Sequence, residues 1–349
     1  MHYPTLRLLP RKEESILRLH PWVFSGAIAS YSEPVTDGSL VTVLDSKGKP
    51  LGTGHFGGGS IAVRLLSFSG EEVIDKEFYK ARLQAALGLR LDCGLIRPEG
   101  SCERPNNTYR LVHGEGDGLP GLVIDIYDRT AVLQAHSMGM HEARMMIAEA
   151  LQEVYKEAGD PVAPLAGIYY KSESTLPTRD MRELASDGFL LGHTEAAPIW
   201  ENGLRFIPDW LKGQKTGFFI DQRENRELVG QYAQGRTVLN AFCYTGGFSI
   251  YALGAGAKRV DSLDSSSKAM YLTERHVALN FGEDCPRHRS VTEDAFDYLE
   301  QMPQGEYDLI ILDPPAFAKH RDVLRNALQG YRKLNAAAFE KIRPGGILF

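Results

Sequence analysis

The sequence has few cysteines and no long apolar run. Its 349 residues include four cysteines, and none of them stands in a C-x-x-C pair or in the spacing of zinc ligands. A disulfide framework is therefore excluded, and we predict no metal site. No run of apolar residues is long enough for a transmembrane helix, and the first residues lack the apolar segment of a signal peptide, so we predict no membrane contact. These features predict a cytoplasmic protein with reduced thiols.

The sequence also lacks an excess of positive charge. The chain carries 39 basic and 45 acidic residues, for a formal net charge of −6. This balance excludes a wholly basic nucleic-acid-binding surface and permits a local one. The segment 1–70 holds seven Lys or Arg and five Asp or Glu, so it carries a charge of +2, while the segment 71–349 carries −8. The sign of this asymmetry favours an RNA-facing amino-terminal part.

Length and pattern predict three domains. Residues 1–70 are predicted to be rich in β-strands, because short apolar runs such as 39–44 and 60–67 alternate with glycine turns. Residues 71–200 are predicted to form an α+β module. The predicted helices of this module cover 71–92 and 141–158, and its predicted strands cover 109–113, 122–127, 130–136 and 167–170.

Residues 201–349 form the third predicted domain, in which strands and helices alternate. Predicted strands cover 238–242, 259–263, 289–292 and 307–312, a fifth begins at 347, and the helices between them include 267–281 and 294–301. This alternation predicts a doubly wound parallel sheet. Ligands of such sheets bind at the carboxyl ends of the strands.

The first candidate site is the glycine turn after the first of these strands. Gly246 and Gly247 let a ligand approach the backbone closely, and the N-terminus of the following helix attracts negative charge. Asp264 stands at the end of the second strand. A carboxylate there can accept both hydrogen bonds of a ribose diol. The pair predicts a cofactor that contains a nucleoside, unless Asp264 only caps the next helix.

The second candidate site is Asp313-Pro-Pro-Ala-Phe317, after the fourth strand. Pro314 and Pro315 remove two backbone donors and fix the turn, so that Asp313 is held extended. Such a turn suits recognition of the amine or ring nitrogen of a flipped base, on which Phe317 could stack. The alternative is a proline turn that merely ends a strand.

Two weaker segments complete the pattern. Asp294 follows the third strand and either accepts a hydrogen bond from an adenine amino group or caps its own helix. The segment 214–225 combines aromatic residues with Asp221 and Arg223, and Arg223 could pair with a carboxylate. From composition alone, a solvated loop is the better interpretation of that segment.

Together these segments resemble the class I S-adenosylmethionine-dependent RNA methyltransferases. The most similar family is the bacterial large-subunit ribosomal RNA cytosine-C5 methyltransferases with an amino-terminal PUA domain. The resemblance covers nearly the whole chain and rests on residues 11–25, 113–122, 215–225, 240–249 and 313–317. It implies a PUA-like β-barrel, an α+β linker module and a Rossmann-like class I methyltransferase domain that is incomplete at its carboxyl end.

The resemblance also implies a role for each matching residue, with S-adenosylmethionine as cofactor and large-subunit ribosomal RNA as partner. Three implied cofactor-binding residues would close over the cofactor: Phe219, Asp221 and Arg223. Four more would cradle its methionine part: Tyr244, Thr245, Gly246 and Gly247. Asp264 would hold the ribose, and Asp294 would hold the adenine. The implied catalytic residue is Asp313, which would face the base, with substrate contacts from Pro314, Pro315 and Phe317. Asn240 departs from the pattern, because many methyltransferases carry an acid there.

Methylation at cytosine C5 requires a nucleophile, because a thiolate must first add to C6. Ala316 stands where some RNA cytosine methyltransferases have a cysteine, and Cys243 is interpreted as a packed thiol rather than as the nucleophile. Since the fifth strand begins at Ile347, we expect the chain to be a fragment whose nucleophilic cysteine lies beyond Phe349. Such a fragment is expected to form no covalent adduct with RNA that contains 5-fluorocytosine.

The sequence leaves three other functions open. These are methylation of another RNA base, non-catalytic binding to RNA or the ribosome, and NAD(P)-dependent oxidoreduction. The absence of G-x-G-x-x-G and the presence of Asp313-Pro-Pro315 disfavour the oxidoreductase. The target nucleotide, the state of the RNA (naked or assembled) and a homodimer also stay open.

Overall fold

The computed structural model describes residues 3–177, 183, 186–318 and 324–349. The chain divides into two compact units. The first unit contains Met1–Trp200 and Pro208–Ile220, and the second unit contains Glu201–Ile207 and Asp221–Phe349. The first unit thus combines the first two predicted domains with a short segment of the third. Across the described residues, no helix has the length and apolarity needed to cross a membrane.

The first unit begins with a six-stranded sheet, which confirms the β-rich prediction for the segment 1–70. The strands are β1 (Thr5–Leu8), β2 (Trp22–Phe24), β3 (Ile28–Tyr31), β4 (Leu40–Leu44), β5 (Pro50–Phe56) and β6 (Ile61–Ser67), in the order β2-β6-β5-β4-β1-β3. A short helix, α1 (Glu14–Leu17), precedes β2. Buried aliphatic side chains, among them Leu6, Val41 and Val63, form the core of this sheet.

A second sheet and further helices follow among the described residues of the same unit. The strands are β7 (Thr108–His113), β8 (Leu122–Tyr127), β9 (Thr130–Ala135), β10 (Gly167–Tyr170) and β11 (Gly188–Gly192), and the helices are α2 (Lys76–Asp92), α3 (Met138–Glu142) and α4 (Arg144–Ala158). Asp75 accepts a hydrogen bond from the backbone N–H of Phe78 at 3.0 Å. This cap starts α2 at Lys76, later than the predicted residue 71. A break at Ala143 divides the predicted helix 141–158 in two.

The segment Pro208–Ile220 is anchored on buried polar groups of the second sheet. Thr216 donates a hydrogen bond to Asp125 at 2.6 Å, and Asp125 also pairs with Arg110 at 2.8 Å. The ammonium group of Lys171, which is 8% exposed, donates to the carbonyl groups of Trp210 at 2.5 Å and Gly213 at 2.8 Å. These contacts explain why residues that looked like a solvated loop adopt a defined conformation.

The second unit contains a five-stranded sheet. Its strands are β14 (Thr237–Ala241), β15 (Arg259–Asp264), β16 (His288–Thr292), β17 (Leu309–Leu312) and β18 (Ile347–Leu348), in the order β16-β15-β14-β17-β18. All four pairings are parallel, which confirms the predicted doubly wound sheet. The strand order reverses between β14 and β17, and open α/β sheets bind ligands at such switch points.

Helices surround this sheet, and a short hairpin precedes it. The helices are α5 (Arg223–Ala233), α6 (Gly247–Gly254), α7 (Ser267–Phe281), α8 (Ala295–Gln301) and α9 (Leu324–Lys341), and the hairpin strands are β12 (Ile199–Glu201) and β13 (Leu204–Phe206). Apolar residues of the central strands, such as Leu239 and Ile310, are fully buried. These side chains fix the strands, so ligand chemistry is left to the residues at the strand ends.

Candidate cofactor site

A strained turn connects β14 to α6. Phe242, Tyr244 and Gly246 have φ values of 58°, 48° and 75°, so every second residue of this turn is left-handed. Only glycine adopts this conformation freely, and it costs another L-residue roughly 1–2 kcal/mol. Strained backbone of this kind persists where its surroundings determine it, as they often do at ligand sites.

Asp264 joins this turn to the end of β15. One carboxylate oxygen accepts from the backbone N–H of Tyr244 at 2.9 Å, and the other accepts from the backbone N–H of Ser266 at 2.9 Å. Ser266, not Asp264, is the N-cap of α7, because its side chain accepts from the backbone N–H of Ala269. Asp264 therefore organises the turn, and capping of the next helix does not account for it.

A buried ion pair lies beneath the turn. Arg226 of α5 makes two hydrogen bonds to Glu201, at 2.9 and 2.7 Å, and Tyr251 of α6 donates to the same carboxylate at 3.0 Å. A Cβ added at Gly247 would lie 3.0 Å from the Cδ atom of Arg226. The pair therefore sets the distance between α5 and the first residue of α6.

Asn240, the departure from the acidic pattern, is fully buried in β14. Its amide nitrogen donates to Ser249 at 2.8 Å, and the hydroxyl groups of Ser249 and Ser262 lie 2.7 Å apart. Ser262 in turn contacts His288 at 2.8 Å. A neutral amide suits this position, because a carboxylate in the same place would need a compensating charge.

Cys243 is a packed thiol. It is 6% exposed, and its sulfur lies 3.5 Å from the sulfur of Met270. Burial raises the pKa of the Cys243 thiol far above its ordinary value, and the nearby carboxylate of Asp264 raises it further. A nucleophilic cysteine needs a lowered pKa. The structure therefore supports the interpretation of Cys243 as a structural residue.

Asp294 is exposed and caps α8. Its Oδ1 atom accepts from the backbone N–H groups of Phe296 at 2.8 Å and Asp297 at 3.3 Å. The capping alternative is therefore realised. Both bonds end on Oδ1, so the Oδ2 atom accepts no hydrogen bond from the described part of the chain, and the adenine contact stays a prediction.

The Asp313–Phe317 turn follows β17. Asp313 and Pro315 are exposed, and Pro314 is half-buried. The ring of Phe317 packs against Tyr331, with centroids 4.5 Å apart, and its backbone N–H donates to the Tyr331 hydroxyl at 3.3 Å. The contacts of Phe317 thus hold the turn against α9, and its stacking on a base stays a prediction.

The predicted lid residues fall into both units. Phe219 lies in the first unit, where the ammonium group of Lys215 sits 4.4 Å from its ring centroid. Asp221 and Arg223 lie in the second unit, in a 3₁₀ turn and at the start of α5. Their closure over a cofactor stays a prediction.

The other predicted residues meet at one edge of the parallel sheet. The turn at Tyr244–Gly247 follows β14, Asp264 ends β15, and Asp313 follows β17. Strands β14 and β17 flank the point where the strand order reverses. Asp294 follows β16, the next strand along the edge.

The sequence did not predict the buried residues that pack against the turn between β14 and α6. These residues are Glu201, Arg226, Thr273 and His276, and all four are buried. A charged residue in an amphipathic pattern normally predicts an exposed face. Only the pairing of Glu201 with Arg226 in the folded chain shows that these two charges are buried.

The donors and acceptors at this edge fit S-adenosylmethionine. The backbone N–H of Thr245 meets no acceptor in the described ranges, and α6 begins at Gly247. Both features suit the carboxylate of the methionine part. The carboxylate of Asp264 can accept about four hydrogen bonds. Two of these come from backbone N–H groups, so two positions remain for a ribose diol.

Comparisons with known proteins agree with this fit. A family model described as an S-adenosylmethionine-dependent methyltransferase matches residues 176–349, and a PUA-like domain model matches residues 6–68. The ribosomal RNA large subunit methyltransferase I of Erwinia tasmaniensis is 38% identical over 99% of this chain and 84% of its own length. That of Aeromonas hydrophila is 37% identical over the same shares.

The chain belongs to the ribosomal RNA large subunit methyltransferase I family. It is an S-adenosylmethionine-dependent methyltransferase with a PUA-like amino-terminal domain and a class I methyltransferase fold. A solved structure from Streptococcus mutans, described as a SAM-dependent methyltransferase, is 25% identical and has a TM-score of 0.78. The match covers 100% of this chain and 85% of the Streptococcus mutans chain. Another methyltransferase structure with the same scores was solved with S-adenosylhomocysteine.

Proposed function

We propose that this member of the ribosomal RNA large subunit methyltransferase I family transfers a methyl group from S-adenosylmethionine to carbon C5 of a cytosine in large-subunit ribosomal RNA. The common sheet edge carries the proposal, because the glycine turn, Asp264 and Asp313 follow the carboxyl ends of β14, β15 and β17. Relatives named for ribosomal RNA support the class of substrate. The motif resemblance supports C5 as the methylated atom. Transfer to C5 also requires a thiolate that adds to C6, and we do not assign that role to Cys243.

In this proposal each hydrogen-bonding residue at the sheet edge contacts a different group of the cofactor. Thr245 offers its backbone N–H to the methionine carboxylate, with Tyr244 and the two glycines shaping the turn. Asp264 holds the ribose diol, and Asp294 accepts from the adenine amino group. Bound S-adenosylmethionine supplies an electrophilic methyl group.

The target base is proposed to meet the Asp313–Pro315 turn. Pro314 lacks a backbone donor and restricts the backbone of Asp313 to extended conformations. A carboxylate suits the exocyclic amine of cytosine. Phe219, Asp221 and Arg223 are proposed to exclude water from the cofactor, which strengthens the electrostatic contacts within the site.

The PUA-like domain is proposed to bind the RNA. The segment 1–70 carries the positive part of an otherwise acidic chain, which favours contact with phosphate groups. Because the named relatives are bacterial, we assign the activity to the cytoplasm. A homodimer stays a prediction that sedimentation of the purified protein would test.

Replacing Asp264 by alanine should weaken the binding of S-adenosylhomocysteine by about 1–3 kcal/mol, because the diol loses its acceptors. Loss of the acceptor for Tyr244 N–H adds to this effect. Isothermal titration calorimetry on the whole chain measures the change. NAD, titrated in the same way, should show no binding.

The matched control is Asp284→Asn, which changes an exposed aspartate of the same unit. Its affinity should equal that of the wild type. If Asp264→Ala binds as tightly as this control, Asp264 has no place in the cofactor site. Binding of NAD in place of S-adenosylhomocysteine would favour the oxidoreductase.

Deletion of the gene in its host should remove a single 5-methylcytosine from large-subunit ribosomal RNA. Mass mapping of the RNA identifies the nucleotide, and the wild-type gene should restore the modification. A gene carrying Asp313→Ala should not restore it, because the base loses the carboxylate that orients it. An unchanged modification pattern refutes the proposed activity, and loss of a methyl group from another base refutes its cytosine part.

A further inference from the structure

Two buried side chains of α7 hold the carbonyl groups of the cofactor turn. The hydroxyl of Thr273 lies 3.1 Å from the carbonyl oxygen of Tyr244 and also 3.1 Å from that of Ala269 in its own helix, so its one hydrogen is shared between these two acceptors. The Nδ1 atom of His276 lies 2.8 Å from the carbonyl oxygen of Thr245. Both side chains are fully buried, so no water competes for these bonds.

The partners of His276 determine its tautomer. A carbonyl oxygen cannot donate, so Nδ1 must carry the hydrogen that reaches Thr245. The Nε2 atom lies 2.9 Å from the backbone nitrogen of Ile207 and 3.4 Å from its carbonyl oxygen. The shorter contact requires an unprotonated Nε2 that accepts from the Ile207 N–H. The imidazole is therefore neutral and protonated on Nδ1.

The charges around His276 agree with a neutral ring. Burial lowers the pKa of His276, and the positive charge of Arg275 lowers it further, while its two backbone contacts only partly oppose this shift. The ring of Phe206 covers another side at 5.4 Å between centroids. His276 thus acts as a fixed donor at neutral pH.

The orientation of these carbonyl groups decides where the next N–H groups point. In a trans peptide the carbonyl and the following N–H point in opposite directions. The bond from Thr273 to the Tyr244 carbonyl therefore turns the Thr245 N–H away from α7. That N–H finds no acceptor within the part of the chain that the structure describes, whereas the N–H of Gly246 donates to Cys243 at 2.8 Å.

We propose that Thr273 and His276 are positioning residues for methyl transfer, which hold the strained turn so that the Thr245 N–H faces the carboxylate of the cofactor. The inference rests on the proposed function, in which this turn cradles the methionine part. Tyr244 is left-handed without being a glycine. Such a residue relaxes to a more common conformation when the contacts that hold it are removed.

Two substitutions at His276 separate its two hydrogen bonds. His276→Asn keeps a donor near the Nδ1 position, and His276→Gln keeps a polar group near the Nε2 position. The affinity for S-adenosylhomocysteine, measured by calorimetry, should stay within about threefold of wild type for His276→Asn and fall about tenfold for His276→Gln. Equal affinity of the two variants, at equal thermal stability, overturns the inference.

A second pair keeps the test independent of whether the His276 variants fold. Thr273→Val preserves the shape of the side chain and removes the donor to Tyr244, whereas Thr273→Ser keeps the hydroxyl. Thr273→Val should bind S-adenosylhomocysteine about tenfold more weakly, and Thr273→Ser should recover most of the affinity. Wild-type affinity of Thr273→Val contradicts the proposal.

Spectroscopy of the wild-type chain supplies a readout that stability does not affect. The ¹⁵N shifts of the His276 ring should show a protonated Nδ1 and an unprotonated Nε2. A protonated Nε2 overturns the inference. In the same titrations, weaker binding by Asp264→Ala with unchanged binding by the Thr273 and His276 variants refutes the positioning role alone. Unchanged binding by all of them refutes the proposed site as well.

Discussion

Gly246→Ala should lower the affinity for S-adenosylhomocysteine at least about 30-fold. The left-handed backbone at this position and the nearby side chain of Thr273 both disfavour a Cβ atom there. A Cβ at Gly246 would lie 2.5 Å from the Cγ2 atom and 3.0 Å from the Oγ1 atom of Thr273. Thr273 cannot rotate away without giving up its bond to Tyr244. The left-handed φ of 75° costs an alanine roughly 1–2 kcal/mol, and the crowding adds about 1–3 kcal/mol.

Gly256→Ala is the matched control, because Gly256 also has a positive φ, of 86°, but its nearest neighbour is a Gln234 side-chain atom 3.9 Å away. This control carries the backbone strain without the collision. Its calorimetric affinity should stay within about threefold of wild type. In a Thr273→Ser background, which removes the colliding Cγ2 atom, Gly246→Ala should recover part of its affinity. Equal affinities for Gly246→Ala and Gly256→Ala would show that the close packing of turn and helix is irrelevant to binding.

Arg226→Met should lower the free energy of unfolding by about 3–5 kcal/mol, because it leaves the carboxylate of Glu201 buried without its partner. Both side chains are almost fully buried. The remaining hydrogen bond from Tyr251 does not compensate a full charge. Urea unfolding, monitored by the fluorescence of the three tryptophans, measures the change.

Two further variants test the cause of this loss. Removing both charges, in Arg226→Met with Glu201→Met, should destabilise less than Arg226→Met alone, because no unpaired charge stays buried. Arg343→Met removes a half-exposed partner of Asp308 and should cost less than about 1 kcal/mol. If the loss of stability in the double variant equals the sum of the losses in Arg226→Met and Glu201→Met, the two charges do not interact.

The sheet edge could be predicted because its information is local. The glycines after β14 and the prolines after β17 each stand directly behind an apolar strand. In a doubly wound sheet the chain order of the strands brings their carboxyl ends to one edge. The placement of Asp264 and Asp313 at this edge could therefore be predicted from spacing and strand order alone.

The support behind the turn could not be predicted in the same way. His276 stands in the middle of α7, and nothing in its neighbourhood distinguishes it from an ordinary helical polar residue. Its role depends on a contact with Thr245, which lies far earlier in the chain. Likewise, the anchoring of Thr216 depends on Asp125, in a strand of an earlier domain. Contacts of this range become visible only once the helices and sheets have packed.

The return of Pro208–Ile220 to the first unit has a consequence for how the protein is made. The polypeptide passes from one unit to the other three times, after Trp200, Ile207 and Ile220. A ribosome therefore releases Glu201–Ile207, which belong to the second unit, before the first unit is complete. The buried acceptor Asp125 has to wait for Thr216 to emerge from the exit tunnel, so the first unit reaches its final packing only when synthesis has already begun on the second.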